Sequence, residues 1–185
     1  LMNQSFFKNI DPLLDRPLKC FMIGGMKTPN TVQIHQSPHD MHLFFGMLSI
    51  EGPNCPGFNI DPDQFTEAIF DWVATAIRPQ IPNEDYTSNK DQITVVDFAM
   101  AEQISKAAIK IHTNLMDVAE DLPEDEMAQK KARWGMQVVL PWVEAVCMAD
   151  GDMELDEAET LRKQCGLDPR LSENDWDEYK EMEAN

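Results

Sequence analysis

The chain has 185 residues and a formal net charge of −18. That length bounds one domain with a real core, and an apolar fraction of 43% is that of a globular protein. The charge sets the chain against nucleic acid, whose phosphates it would repel. No run of about 18 apolar residues exists to span a bilayer.

Four cysteines, Cys20, Cys55, Cys147 and Cys165, lie far apart with no CxxC pair. This argues against a zinc ribbon and against a dense disulfide framework. Reduced thiols and a cytoplasmic location are expected. The opening "LMNQSFFKNIDPLLDR" lacks a basic stretch followed by a long apolar run, so no secretory signal is expected.

The expected fold class is all-α, a single helical domain of six to seven helices. Residues 1–36 read as an irregular N-terminal segment. Within it, "LKCFMIGGMKTPNTVQIH" reads as coil with at most a small hairpin, and Gly24-Gly25 as a lone pair. The first helical unit is 37–79. Ser37 is its N-cap and Pro38 its first helical residue. Met41, Phe44, Phe45 and Leu48 then share one face. "GPNCPGFN" breaks that helix. Asp61 caps the next, with Pro62 at its first position, Gln64 closing a capping box and Ile60 stapling onto Phe65. Its apolar stripe is Phe65, Ile69, Trp72, Val73 and Ala76.

"RPQIPNEDYTSNKDQ" reads as a loop. A long helix and a second unit follow over 91–183. Helical spacing runs from Ile93 through Val96, Met100, Ile104, Ala108, Ile111, Leu115 and Val118 to Leu122. "LPEDE" ends it. The next helix is apolar on nearly all sides toward its end, as a central helix is. Pro141 is expected to kink or split it. "DEAETLRKQCGL" is a short helix stopped at Gly166. Ser172 and Asp175 open the last one.

"MADGDMELDEAE", Met148 to Glu159, packs six acids around Gly151. It is not an EF-hand loop. With Asp150 as the first ligand, Leu155 stands where the loop needs glycine and Leu161 where it needs a bidentate Glu. Starting at Asp152 puts Glu157 and Lys163 there. Ending at Glu159 makes Met148 the first ligand. A helix-to-helix turn fits better. Gly151 gives the backbone freedom, Leu155 staples, Asp156 is the N-cap and Glu159 closes a capping box. Asp150 and Asp152 are left without a local duty.

The segment 138–179, "WVEAVCMADGDMELDEAETLRKQCGLDPRLSENDWDEY" at its heart, resembles TerB-like domains. These include the tellurite-resistance protein TerB and the N-terminal domain of the DjlA co-chaperone. The resemblance rests on Ala149-Asp150-Gly151, Asp156, Glu159, Leu161 and Gly166-Leu167-Asp168-Pro169. It implies an all-helical fold that carries the helix–acidic turn–helix unit twice. A first copy is legible around Glu51-Gly52 and Ile60-Asp61-Pro62-Asp63-Gln64, with a longer loop holding Cys55 and fewer acids.

The resemblance further implies an acidic surface where the two units meet. Its residues would be Asp150, Asp152, Asp156 and Glu159, with Glu51 and Asp61. Their hard oxygens suit Ca²⁺, Mg²⁺ or Mn²⁺.

His35, His39 and His42 crowd "HQSPHDMH" but lack a zinc-type spacing or an HExxH pattern. His112 reads as a helix-face residue. No nucleophile elbow, phosphate loop or dinucleotide fingerprint occurs. The leading expectation is a non-enzymatic, cytoplasmic stress- or resistance-type protein that binds a divalent cation, a protein partner, or both. The alternatives are a metal-free acidic module that docks a basic partner, and a metalloprotein built on the histidines.

Overall fold

The computed structural model describes residues 30–54 and 61–184. The Gly24-Gly25 pair, Cys20, Cys55, Ile60 and the Phe65 side chain lie outside the described residues.

The protein is predominantly helical. Its helices are α1 (Pro38–Glu51), α2 (Pro62–Trp72), α3 (Phe98–Asp121), α4 (Glu126–Ala149), α5 (Leu155–Gln164) and α6 (Glu173–Ala184). One two-stranded antiparallel ribbon joins them, β1 (Thr31–Gln36) with β2 (Gln92–Asp97). A wide π turn over Val73–Ile77 continues α2. Short 3-10 turns at Arg78–Gln80 and Pro82–Glu84 lead toward β2.

The ribbon corrects two expectations. Residues 31–36 are not coil, and their partner is β2 rather than a local hairpin. The long helix starts at Phe98, not Ile93. "ITVV" is four β-branched residues in a row, which a pleated surface accepts and a helix crowds. Asp97 marks the boundary, because its side chain accepts from the Met100 N–H. The register pairs Val32 with Val96 and Ile34 with Thr94, which puts Val32, Ile34 and Gln36 on the core face. The spacing of Ile93 and Val96 only imitates the helical stripe that follows.

Other helix starts match their sequence signals. Ser37 Oγ accepts from Asp40 N–H, Asp61 Oδ1 from Asp63 and Gln64 N–H, and Ser172 Oγ from Asp175 N–H.

Pro141 does not split α4, which runs unbroken to Ala149. Proline has no N–H to give the Gln137 carbonyl. One residue on, the Val138 carbonyl accepts from Gln36 Nε2 at 3.0 Å. The same amide's oxygen accepts from Trp142 Nε1 at 2.9 Å. β1 thus fastens itself to the helix at the proline.

α4 is the central element, as its all-round apolar character requires. Phe44 stacks on Trp142 at 4.9 Å, while Glu51 reaches Lys131. α1 therefore runs antiparallel to α4. α3 and α4 form an antiparallel hairpin, in which His112 Nε2 lies 3.0 Å from the Ala132 carbonyl and Gln129 Nε2 donates to the Ala119 carbonyl. Phe44, Leu48, Ile111, Val139, Trp142 and Ile34 fill the core between these layers. Burying each such side chain contributes about 1.5–3 kcal/mol.

Candidate functional site

The acidic turn after α4 is a glycine-stopped helix end. Gly151 has φ +76°, its N–H donates to the Met148 carbonyl, and the Asp152 N–H donates to the Cys147 carbonyl. This pair of bonds is the Schellman closure, with Gly151 in the left-handed position. α5 ends the same way at Gly166, with φ +73°, Gly166 N–H to the Lys163 carbonyl and Leu167 N–H to the Arg162 carbonyl.

Beyond the turn the expected capping scheme shifts. Glu154, not Asp156, takes the N-cap position of α5, without a side-chain bond to the helix. Asp156 lies inside the first turn, where its carboxylate accepts from the Glu157 N–H and favours the helix dipole. Glu159 closes no capping box. Its Oε1 accepts from the Arg170 N–H at 3.0 Å. Leu155 is 55% exposed, and Met153 is buried in its stead.

The acids expected to meet are dispersed. Glu51 pairs with Lys131 at 2.7 Å. Lys131 and Asp150 stand nineteen residues apart on one helix numbering. At ~1.5 Å rise per residue that is about 28 Å. The turn after α1 and the turn after α4 therefore sit toward opposite ends of α4. The Asp61 carboxylate is occupied by its own helix cap.

Asp150 instead meets α3. Burial, then the like charges of Glu102 and Asp152, push its carboxyl above the usual range, and Lys106 draws it back. Lys106 is itself paired with Glu102 at 3.3 Å. Glu102, Asp150 and Asp152 thus form an acidic patch where the α3 start meets the α4 end. Among the described residues, no three His, Cys, Asp or Glu side chains converge closely enough to hold a metal ion. The acids implied by the resemblance do not make a chelating set.

The histidines do not converge either. His35 is buried in β1, and its Nδ1 accepts from the Leu171 N–H at 3.0 Å. His39 Nδ1 lies 3.3 Å from Asp40. The exposed His42 sets its ring against Tyr86 at 5.9 Å. Burial lowers the pKa of His112, which sits under Gly135 on the facing helix.

A buried ionic cluster went unread in the sequence. Glu144 on α4 holds Arg162 of α5 at 2.6 Å and Arg170 of the following segment at 2.9 Å. Arg162 donates to the carbonyls of His35 and Asp168, and Arg170 weakly to that of Gln33. Two guanidiniums therefore cover carbonyls along the free edge of β1, which would otherwise invite another strand. His35 is held neutral, its pKa lowered to about 3 by burial and then by Arg170 and Arg162. Asp91, 3.9 Å from Arg162, is raised to about 6, mainly by burial. His35 Nε2 and Glu144 Oε2 have no partner among the described residues. The available signal was Glu144 itself, a lone acid in the apolar run "VVLPWVEAVC", since a buried carboxylate needs a cation.

No helix of the described residues is long and apolar enough to cross a membrane. Compared with protein-family models, curated proteins and solved structures, the chain matches none.

Proposed function

We propose that the protein is a non-enzymatic docking domain that recruits a cationic protein segment to the patch of Glu102, Asp150 and Asp152. The observation that carries this reading is where the fold puts these acids: Asp150 is held beside Asp152 and across from Glu102 of α3, whose like charges add to burial in raising its carboxyl, a cost that Lys106 offsets in part. A lysine or arginine from a partner relieves that cost. The chain's net charge of −18 steers such a partner in. The TerB-like likeness of 138–179 supports a role for the acidic turn, in a cytoplasmic stress or resistance setting. Ca²⁺, Mg²⁺ or Mn²⁺ at the same carboxylates is the competing reading, and its difficulty is the want of a converging ligand set.

Calorimetric titration with an octalysine peptide tests the proposal. Glu102→Gln with Asp150→Asn is expected to weaken binding by about three- to tenfold, the scale of one or two ion pairs, with Asp150 the exposed member and Glu102 largely covered beside Lys106. Asp63→Asn with Glu67→Gln removes the same charge from the exposed face of α2 and is expected to change it by less than about twofold. Equal losses in the two double variants would overturn the site. Stoichiometric Ca²⁺, Mg²⁺ or Mn²⁺ binding that displaces octalysine and is lost in the first double variant would replace it with the cation reading.

A further inference from the structure

The chain after α5 returns along β1 and is tied down by polar contacts. The Asp168 carbonyl accepts from Arg162, the Arg170 N–H donates to Glu159 Oε1 at 3.0 Å, and the Arg170 guanidinium reaches Glu144 at 2.9 Å. The Leu171 N–H donates to His35 Nδ1 at 3.0 Å. Further on, Glu173 accepts from Gln33 at 2.7 Å, and the Lys90 ammonium lies 3.4 Å from the centre of the Tyr179 ring. Apolar burial contributes less. Among the described residues of α6, Trp176 is the buried side chain, and the rest are exposed or half-buried. A segment held in this way opens locally at less cost than the core does.

The Leu171 bond fixes the protonation state of His35. A backbone N–H only donates, so Nδ1 is bare and the ring's proton sits on Nε2. A second proton has to enter at Nδ1, where the Leu171 N–H already points. It also places a buried cation beside the guanidiniums of Arg162 and Arg170. The other charged groups of the cluster are Glu144 of α4, which both guanidiniums hold, Glu159 of α5 beside Arg170, Asp91 just before β2, and Asp40 and Asp168 near Asp91. Detaching the segment withdraws Arg170, frees Nδ1 and admits water to the ring.

We propose that residues 168–184 form a strap pinned by His35, which protonation of the imidazole releases while the helical body stays folded. Linkage sets the size of the effect. With the strap closed the pKa of the ring is about 3, and with it open the ring approaches its ordinary 6.5. Opening therefore becomes easier by up to about tenfold for each pH unit below 6.5. Asp91 and Glu144, both raised by burial, take up protons in the closed state and oppose the release. Replacing His35 leaves their contribution in place, so comparison with that variant isolates the imidazole.

Amide hydrogen exchange of the full chain, followed by NMR from about pH 7 to about pH 4.5 and corrected for the intrinsic rate, tests the strap. Leu171 is expected to exchange at least about a hundredfold faster than residues 138–146 of α4. Its protection is expected to fall more steeply with acid in wild type than in His35→Gln, whose amide oxygen accepts from the Leu171 N–H without titrating. The difference in slope is expected to reach up to about tenfold per pH unit. Protection of Leu171 equal to that of α4 would show that the segment opens only with the whole fold, and would overturn the strap. A profile equally steep in His35→Gln would overturn the pin. The ring ¹⁵N shifts of wild type give a test that needs no variant. A bare Nδ1 and a protonated Nε2 are expected at neutral pH, and the opposite tautomer would overturn the proposal.

Discussion

Glu144 and Arg162 meet at 2.6 Å with side chains 0% and 1% exposed, and through that contact α5 is fixed to both α4 and β1. Breaking one side of a buried pair strands the other charge, at a cost of about 3–5 kcal/mol. Arg162→Met leaves Glu144 its bond to Arg170, so it is expected to destabilise toward the lower end of that range in urea unfolding. Combining it with Glu144→Gln is expected to cost clearly less than the sum of the two single changes. Strict additivity would show that the two groups act independently.

The same cluster shapes the pH dependence of stability. His35 has a folded pKa of about 3, below its unfolded value, so its contribution is full above about 6.5 and is lost as pH falls toward 3. Asp91 has a folded pKa raised to about 6, so its ionisation penalises the fold above 6 and that penalty is relieved as pH falls toward 4. The two effects oppose each other between pH 6 and 4. Asp91→Asn removes the second alone. Its stability is expected to fall more steeply than wild type over that window, by up to roughly 1.4 kcal/mol per pH unit. Parallel curves would contradict the assignment.

Much of the helical frame was legible because caps and stripes are local signals: Ser37, Asp61 and Ser172 each accept from the backbone N–H groups expected of them. The ribbon was not, because its strands are sixty residues apart and "ITVV" falls in phase with the helical stripe after it. The acidic turn was legible as a turn from Gly151. The partner of Asp150 was not, since Glu102 comes from the far end of a helical hairpin. The buried cluster was hidden for the same reason. Glu144, Arg162, Arg170 and His35 belong to separate segments, and only the fold brings them together.

Gly135 marks a close approach between α3 and α4. A Cβ there would lie 2.8 Å from His112 Cδ2, a ring held by the Ala132 carbonyl. Alanine in mid-helix would otherwise stabilise by roughly 0.5–1 kcal/mol. The clash costs about 1–3 kcal/mol. Gly135→Ala is therefore expected to lower the melting temperature, and a rise would show that His112 moves freely.

Gly151 presents the opposite case. Nothing lies within 4 Å of its would-be Cβ, so only its φ of +76° opposes a side chain. Gly151→Ala is expected to cost about 1–2 kcal/mol and Gly151→Asn less, as asparagine tolerates the left-handed region. Equal losses in thermal unfolding would point to a contact rather than to the backbone.

The central claim is that a cationic segment docks at Glu102, Asp150 and Asp152. Amide chemical-shift mapping of labelled protein with octalysine tests it most directly. The expected result is a set of perturbations centred on Glu102, Lys106, Asp150 and Asp152. Shifts spread evenly over exposed acids such as Asp63, Glu67 and Glu126, with none concentrated where α3 starts and α4 ends, would contradict it.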